Sequence, residues 1–412
     1  MQLNLNRKRI FDYATTFGVE FFVMIISVLL FKVIRLRFEE MGFSEYTVSK
    51  RFVGIIQPLL ILGFGISLPK YLAIETDVIR KKQLHYTVQF FFVVVFLIAF
   101  IICFILKSQI SKLVYGSNAE FKLMLAIVFY YLSLAIHTSV YNFFRGNGNY
   151  NLSALMQLIN LGLLPIIICF ITTSVSNYFI YLTIASLIFS SLVQFWVIGF
   201  EKMNITYSIK ILKEMLNYGY KRMPGDVIFG LFTTIPVFIA SNYISLIEAG
   251  KIAFCMSLLN IVIAVLSPIN IILLPESAKI IQKKDFVLLK SISNKMVLMS
   301  LLVGLVSLLF ILIGGKFILI FFGVDDVLNS TIYLNIIFIS VFGYSIYSVL
   351  RSIIDAYYSN AKNGNNVLLA FGIFLGIFAI IYYFNFHSMV VLLSSFSFAM
   401  NVLGFITFFE VK

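Results

Sequence analysis

The stretch LHYTVQFFFVVVFLIAFIICFIL at residues 84–106 decides the fold class of this chain. It contains no Asp, Glu, Lys or Arg, and a basic run at residues 80–82 lies just before it. A helix needs about 20 apolar residues to cross the hydrocarbon of a bilayer. The stretch also lacks the period-2 alternation of an outer-membrane barrel strand. It therefore predicts a transmembrane helix, since lipid admits only helices and closed barrels.

Similar apolar runs recur along the whole chain and predict an all-α polytopic membrane protein of about twelve spans. Of the 412 residues, 61% are hydrophobic and only 12% are charged, whereas soluble domains have about 25% charged residues. The predicted spans lie near residues 14–34, 52–74, 84–106, 121–141, 152–173, 178–199, 224–246, 251–274, 295–315, 330–350, 366–386 and 389–409. We predict a six-helix lobe at 1–199, a cytoplasmic linker at 200–223 and a second six-helix lobe at 224–412.

The net charge of +13 is better explained by bilayer topology than by nucleic-acid binding. The Lys and Arg residues lie mostly between the apolar runs, where they interact with anionic lipid headgroups. If the N-terminus is cytoplasmic, most basic residues fall in cytoplasmic segments, in agreement with the positive-inside bias. We therefore expect cytoplasmic N- and C-termini, contacts with membrane lipids and no nucleic-acid partner.

One predicted outer segment departs from this bias. Three Glu residues in the same segment neutralise part of the charge of a solvated loop, which is one interpretation. The other is that some of the cations point into a cavity. The five basic residues concerned are Lys32, Arg35, Arg37, Lys50 and Arg51.

The two halves of the chain show traces of an internal duplication. Several residues recur about 206 positions later and at the same place in the order of spans. Because each half has an even number of spans, the halves are parallel, and transporters with parallel repeats bind substrate between the repeats. The matching pairs are Glu20 with Asp226, Leu68-Pro69 with Leu274-Pro275, Arg145 with Arg351, and Tyr115-Gly116 with Phe322-Gly323.

Ionisable residues within the spans are candidates for function, because a charge at the bilayer centre costs about 2.5–3.5 kcal/mol on insertion scales. Asp12, Thr16 and Glu20 share one helix face. Asp226 lies four residues after Arg222, so a local ion pair is one interpretation of this pair. The other is that Glu20 and Asp226 bind a coupling cation or a proton.

Two further spans carry polar residues at helical spacing. Ser257, Asn260, Ser267 and Asn270 form a stripe that serves either helix–helix hydrogen bonding or substrate hydroxyl groups. The end of the tenth span is interpreted either as an interfacial aromatic belt with an ion pair or as part of a cytoplasmic gate. The residues at that end are Tyr344, Tyr347, Arg351 and Asp355.

The signatures of an enzyme are missing from the sequence. There is no HExxH motif, no histidine with a paired Asp/Glu cluster beside it and no GxxxxGK[ST] loop, so we expect no enzyme, no cofactor and no metal. His137 is interpreted as a packing residue. The GxxxG pair of Gly372 and Gly376 is interpreted as a site of close helix packing.

Four stretches of the chain resemble the Wzx-type O-antigen and polysaccharide flippases of the multidrug/oligosaccharidyl-lipid/polysaccharide exporter superfamily. The resemblance extends over the whole chain. The stretches are YTVSKRFVGIIQPLLILGFGISLPKYLA (46–73), YNFFRGNGNYN (141–151), LKEMLNYGYKRMPGD (212–226) and LRSIIDAYYSNAKNGNN (350–366).

The resemblance implies a bacterial inner-membrane protein with two six-helix lobes around a central cavity. Its substrate would be an undecaprenyl-diphosphate-linked oligosaccharide, an O-antigen or capsular repeat unit, moved by alternating access. H⁺ or Na⁺ would be the coupling ion, and polysaccharide polymerase machinery a partner. The implied diphosphate ligands are Arg51 and then Arg222, with Arg35 and Lys50 nearby. Asn260 and Asn270 would bind the sugars, Glu20 and Asp226 the ion, and the gate would contain Arg145, Arg351 and Asp355.

Three other functions stay open at this stage. A cation-coupled drug antiporter of the same superfamily would transport a substrate without a polyprenyl tail. A membrane glycan polymerase or ligase would need an essential catalytic residue in a large outer loop, and no predicted outer loop is large. A structural anchor or assembly factor would tolerate every substitution in the cavity.

Overall fold

The computed structural model divides the chain into two compact units, Met1–Met223 and Pro224–Lys412. Every regular element within the described ranges is a helix. This confirms the prediction of an all-α protein. The described residues are 7–117, 121–201, 205–220, 223–266, 269, 273, 277–278, 280–358, 362–383 and 388–411.

Eleven helical segments in the described part of the chain are long and apolar enough to cross a bilayer. The first, Thr15–Ile61, has 47 residues, about twice the length that one crossing requires. Its helix breaks at Glu39, where φ is 58°. The two arms correspond to the first predicted span and the start of the second. When this segment is counted twice, the structure agrees with the predicted twelve spans of a multi-pass membrane protein.

The segment between the first two predicted spans is helical rather than an outer loop. Helix Arg7–Ile61 runs through residues 35–51 and departs from helical geometry only at Glu39. The expectation of a loop was therefore wrong. Hydropathy marks where contact with hydrocarbon ends, and a helix can continue beyond that point because water solvates its charged side chains.

The helices of the first unit are joined by short connections. Asp77, Asn149 and Ser174 each cap a helix by accepting a hydrogen bond from its first turn. Two of the segments have π-helical hydrogen bonding, Leu158–Leu163 and Gln194–Ile198. The α-helices are Arg7–Ile61, Phe64–Ile74, Val78–Ile105, Lys107–Tyr115, Phe121–Gly146, Tyr150–Gln157, Leu164–Ile171, Val175–Val193 and Ile205–Tyr220.

The helices of the second unit are longer on average and include one of 37 residues. Ser245 and Asp285 cap two of them through their side chains. The described helices are Met223–Tyr243, Leu246–Ala264, Phe286–Phe322, Val327–Ile339, Val341–Tyr357, Lys362–Tyr383 and Met389–Val411.

Residues 200–223, predicted as a linker, contain helix Ile205–Tyr220. Met215 of this helix is 1% exposed and joins an apolar cluster with leucines of helices Phe64–Ile74 and Val78–Ile105. The lysines of the same helix are exposed. An amphipathic helix is stabilised by burying its apolar face, so this segment packs as part of the first unit.

Aromatic rings form the centre of each unit. In the first unit, the ring of Tyr46 lies 5.7 Å from that of Tyr178 and 6.1 Å from that of Phe179, measured between centroids. In the second unit, the rings of Phe232 and Phe396 are 5.4 Å apart. All five side chains are at most 2% exposed, so these contacts add to the burial of large apolar surfaces.

Two glycines end equivalent helices in the two units. Gly116 follows helix Lys107–Tyr115 with φ 74°, and Gly323 follows helix Phe286–Phe322 with φ 69°. Helices often end at a left-handed residue, and glycine adopts that conformation without a steric penalty. The match between these positions in the sequence therefore reflects the same local structure in both units.

The tenth predicted span is interrupted at Ser340, between helices Val327–Ile339 and Val341–Tyr357. Asn401 bridges the interruption. Its Oδ1 accepts a hydrogen bond from the Gly343 amide at 2.9 Å, and its Nδ2 donates to the last carbonyl of the first helix at 3.1 Å. Backbone polar groups at membrane depth need hydrogen-bond partners. The side-chain amide of Asn401 supplies the partners that the interrupted helix does not provide.

Gly343 and Gly404 bring two helices of the second unit into backbone contact. A Cβ atom on Gly343 would overlap the Met400 carbonyl oxygen, and one on Gly404 would lie 2.5 Å from the Gly343 Cα. Among the described residues, nothing lies within 4 Å of a Cβ on Gly372 or Gly376. The prediction of close packing at that GxxxG pair is therefore wrong. The spacing of glycines does not determine which helix face meets a neighbour.

Candidate functional site

One arginine joins two carboxylates in the second unit. Arg351 Nη2 lies 2.5 Å from Asp226 Oδ1, and Arg351 Nε lies 3.6 Å from Asp355 Oδ2. Asn363 donates to Asp355 Oδ1 at 2.8 Å and to the Arg351 carbonyl at 3.1 Å. We call Asp226, Arg351, Asp355 and Asn363 the second-unit cluster. It ties together three helices through charge-assisted hydrogen bonds.

Asp226 therefore has a partner far away in the sequence. The sequence left open a local pair between Asp226 and Arg222, but Arg222 lies outside the described residues. The observed pair with Arg351 joins the first and fourth spans of the second unit. About a third of each side chain is exposed, 34% for Arg351 and 32% for Asp226, so the pair is partly accessible.

Tyr347 supports Arg351 from the preceding turn of the same helix. Its side chain interacts with that of Arg351. Its ring stacks on Phe229, with 5.2 Å between centroids and 26° between planes. Because Tyr347 is 2% exposed, it packs inside the unit and does not form part of an aromatic belt that faces lipid.

The first unit contains a corresponding set of residues. Arg145 and Tyr141 lie one turn apart on helix Phe121–Gly146, and their side chains interact. Glu20, on the first span, interacts electrostatically with both. Glu20 and Arg145 are exposed. We call Glu20, Tyr141 and Arg145 the first-unit cluster.

The residues of the two clusters match at the spacing of the predicted internal duplication. Sequence comparison found the acidic pair and the arginine pair, but it missed the tyrosines. Tyrosine is common in this chain, with 22 residues, and only the contact with arginine singles out these two. At one common spacing of 206 residues, the pairs are Glu20 with Asp226, Tyr141 with Tyr347, and Arg145 with Arg351.

Two of the unexpected cations in the first predicted outer segment have local structural roles. Arg37 donates to the carbonyls of Phe170 at 2.9 Å and Thr172 at 3.3 Å. A cation is favourable there, at the C-terminal end of a helix. The Lys50 ammonium lies 5.1 Å from the centroid of the Phe31 ring, within the range of a cation–π interaction. These contacts give both cations a local structural reason for lying in this segment despite the positive-inside bias.

Arg51, the first candidate diphosphate ligand, is 7% exposed on helix Arg7–Ile61. Its charge lies near that of Lys50. Arg35 and Lys32 are partly exposed on the same helix. In this conformation the Arg51 guanidinium is therefore much less accessible than that of Arg145.

The predicted polar stripe on the eighth span is only partly described. Asn260 is exposed on helix Leu246–Ala264. Ser257 donates to the Ala253 carbonyl of its own helix at 2.8 Å. Ser267 and Asn270 lie outside the described residues, as does the side chain of Asp12.

A buried hydrogen-bond network in the first unit was not foreseen from the sequence. His137 Nε2 lies 3.0 Å from Gln157 Oε1, and His137 Nδ1 lies 3.0 Å from Asn160 Nδ2. Ser186 donates to Asn160 Oδ1 at 2.8 Å. Both ring nitrogens of His137 have partners, and its side chain is 4% exposed, which supports the interpretation of His137 as a packing residue. Asn160 lies in the π-helical segment Leu158–Leu163.

The described residues offer little for metal chemistry. They contain no group of three or more His, Cys, Asp or Glu side chains that could hold a metal ion. Cys103, Cys169 and Cys255 are buried free thiols. The chemistry of the two clusters is therefore that of charge pairing and anion or cation binding.

No family model matches the chain, and no curated protein matches it. Solved structures do match it, and they show that the chain has the fold seen in transporters of the MOP superfamily. The lipid II flippase MurJ in an inward closed conformation aligns with a TM-score of 0.76 and 16% identity, over 96% of this chain and 87% of that one. An inward-facing multidrug resistance MATE family transporter aligns with a TM-score of 0.73 and 12% identity, over 94% and 93%.

A third solved structure has the same fold. The MATE multidrug transporter DinF-BH aligns with a TM-score of 0.71 and 13% identity, over 97% of this chain and 93% of that one. These neighbours are transporters and not enzymes. At such identities the similarity establishes the fold, and the substrate has to be argued from the residues.

Proposed function

We propose that this chain is a flippase that moves undecaprenyl-diphosphate-linked oligosaccharide from the cytoplasmic to the outer leaflet by alternating access. The cargo would be an O-antigen or capsular/exopolysaccharide repeat unit. The observation that carries the proposal is the similarity, over 96% of the chain, to a lipid II flippase. The name of that protein describes a lipid-linked substrate.

The charged residues within the helices support this choice of substrate. A diphosphate cannot cross hydrocarbon without compensation of its charge, and arginine offers two parallel N–H donors to phosphate oxygens. Arginines within spans are costly and usually functional. Arg51 and Arg145 both lie on helices that are long and apolar enough to span a bilayer.

The roles assigned from the sequence become proposals for this function. Arg51, Arg222, Arg35 and Lys50 would bind the diphosphate, and Asn260 and Asn270 the sugars. Alternating access would have to uncover Arg51, which is buried here. Glu20 and Asp226 would bind H⁺ or Na⁺. Arg145, Arg351 and Asp355 would act in gating, and polysaccharide polymerase machinery would receive the product.

We place the protein in the bacterial inner membrane with both termini cytoplasmic. Twelve spans, an even number, put the two termini on the same side. The positive-inside bias then favours the cytoplasm for both. Labelling of single cysteines introduced near each terminus, in intact and permeabilised cells, tests this orientation.

Deletion of the gene should abolish surface polysaccharide and cause lipid-linked repeat units to accumulate on the cytoplasmic side. The wild-type chain should restore polymer, whereas Arg51→Ala and Arg222→Ala should restore less than a tenth of it at normal membrane levels. The measurements are polymer blots and extraction of the lipid-linked intermediates. Normal polymer in the deletion strain would contradict the proposed function.

A drug antiporter is the second candidate, because MATE multidrug transporters share the fold. It predicts that deletion sensitises cells to cationic drugs and leaves surface polysaccharide unchanged. The same deletion strain therefore decides between the two candidates.

A further inference from the structure

Arg145 and Arg351 occupy equivalent positions in the duplicated units, yet their surroundings differ. In the second unit, Arg351 contacts two carboxylates, one at 2.5 Å and one at 3.6 Å. The carboxylate of Asp355 is itself held by Asn363 at 2.8 Å. The single positive charge of Arg351 is thus more than balanced by two carboxylates inside its own unit.

Arg145 has no such pair of carboxylates among the described side chains. Glu20 interacts with it electrostatically, but the described part of the chain shows no carboxylate within 4.0 Å of its guanidinium. The Arg145 side chain is exposed. The five N–H donors of this guanidinium are therefore in direct contact with no described carboxylate, and Glu20 acts on it through its charge alone.

The residue four positions after each arginine explains part of this difference. In the second unit it is Asp355, which lies on the same helix as Arg351 and so reaches it. In the first unit it is Asn149, where the chain has already left helix Phe121–Gly146. The Asn149 Oδ1 accepts from the amide of the following helix at 3.5 Å. The matching residue of the first unit is thus not a carboxylate, and it does not lie on the same helix as Arg145.

We propose that Arg145, beyond its proposed role in gating, is a further residue that binds the phosphate groups of an anionic substrate, with Glu20 as its resting counter-ion. For the identity of that substrate, a polyprenyl diphosphate, this inference rests on the proposed function. The duplication then produced two different roles from one residue pair. Arg351 holds its unit together, and Arg145 exchanges one anion for another.

The chemistry of the first-unit cluster suits this exchange. A diphosphate carries more negative charge than one carboxylate and accepts two parallel hydrogen bonds from a guanidinium. Tyr141 interacts with Arg145 from the preceding turn and so restricts its orientation. The negative charge of Glu20 acts on the same guanidinium and opposes the approach of a second anion. Removal of the Glu20 charge should therefore strengthen binding, and removal of the guanidinium should weaken it.

The test is titration calorimetry of the purified full-length protein in detergent micelles with farnesyl diphosphate as the probe. We expect Arg145→Ala to weaken binding at least tenfold. Arg145→Lys should weaken it nearly as much, because lysine retains the charge but not the planar pair of donors. Glu20→Gln should tighten binding several-fold. Arg145→Gln serves as a second variant if Arg145→Ala does not fold.

Lys122→Ala is the matched control, since Lys122 is an exposed cation at the other end of the same helix. Its binding should equal that of the wild type. Failure of the wild type to bind the probe would overturn the inference. So would wild-type affinity in Arg145→Ala or Arg145→Lys, or weaker binding in Glu20→Gln.

Failure of this inference can be told apart from failure of the proposed function. If the deletion strain makes normal polymer while the variants change probe binding in the expected directions, the phosphate site stands and the cargo is a different one. If polymer depends on the chain but Arg145 variants bind normally, the flippase stands and its phosphate site does not include Arg145.

Discussion

Gly343→Ala and Gly404→Ala should each prevent the protein from accumulating in its folded form. The added methyl group has no space, because at Gly343 it overlaps the Met400 carbonyl and at Gly404 it lies 2.5 Å from a backbone carbon. Overpacking usually costs about 1–3 kcal/mol when side chains can move aside. Here the backbone itself must shift, so we expect a loss at or above the upper end of that range. Size-exclusion chromatography of a fluorescent fusion measures the folded fraction.

Gly372→Ala and Gly376→Ala are the matched controls. Nothing among the described residues lies within 4 Å of the added carbon at either position. Alanine is favoured over glycine in a helix by roughly 0.5–1 kcal/mol, so these variants should accumulate as well as the wild type or better. A folded Gly343→Ala protein, or loss of the Gly372→Ala protein, would contradict the helix contacts described here.

Arg351→Ala should destabilise the second unit more than any other single charge removal in the second-unit cluster. It leaves the carboxylates of Asp226 and Asp355 without their cation. Removing one partner of a fully buried ion pair costs about 3–5 kcal/mol. Since about a third of each side chain of the Arg351–Asp226 pair is exposed, we expect about 2–3 kcal/mol. Thermal unfolding in detergent, compared with the wild type, measures the loss.

The loss should be largely reversed by neutralising the carboxylates. Adding Asp226→Asn and Asp355→Asn to Arg351→Ala removes the unpaired charges and keeps the side-chain volumes. If the triple variant is as unstable as Arg351→Ala alone, the ion pairs do not stabilise this unit. Arg145→Ala in the first unit should lose much less stability, because its guanidinium contacts no described carboxylate within 4.0 Å.

The predicted duplication gives equivalent positions in the sequence, but the structure gives the paired residues different surroundings. The spacing of 206 residues identified Glu20 with Asp226 and Arg145 with Arg351, and it predicted equivalent positions. It did not predict that one arginine would be locked between carboxylates and the other left exposed. That difference depends on whether the helix continues past the arginine, as it does to Tyr357 in the second unit.

The sequence also did not predict which residues form the contacts between helices. The GxxxG pair at Gly372 and Gly376 was interpreted as a packing site, but the tight contact is between Gly343 and Gly404. These two glycines are far apart in the sequence, and neither belongs to a recognisable motif. Likewise, the sequence did not indicate that Arg51 is buried in this conformation, because the exposure of a side chain depends on the helices around it.

The sequence by itself determined the all-helical membrane fold and the approximate number of spans, and it predicted a duplication and the set of charged residues worth testing. Hydropathy suffices for these because the bilayer imposes the same requirement on every span, an apolar run about 20 residues long with its backbone hydrogen bonds satisfied internally. Only the tertiary structure decided which partner each charge has. Asp226 meets Arg351 because the fold brings their two helices within side-chain reach of each other, and that proximity depends on the packing of side chains that are distant in the sequence.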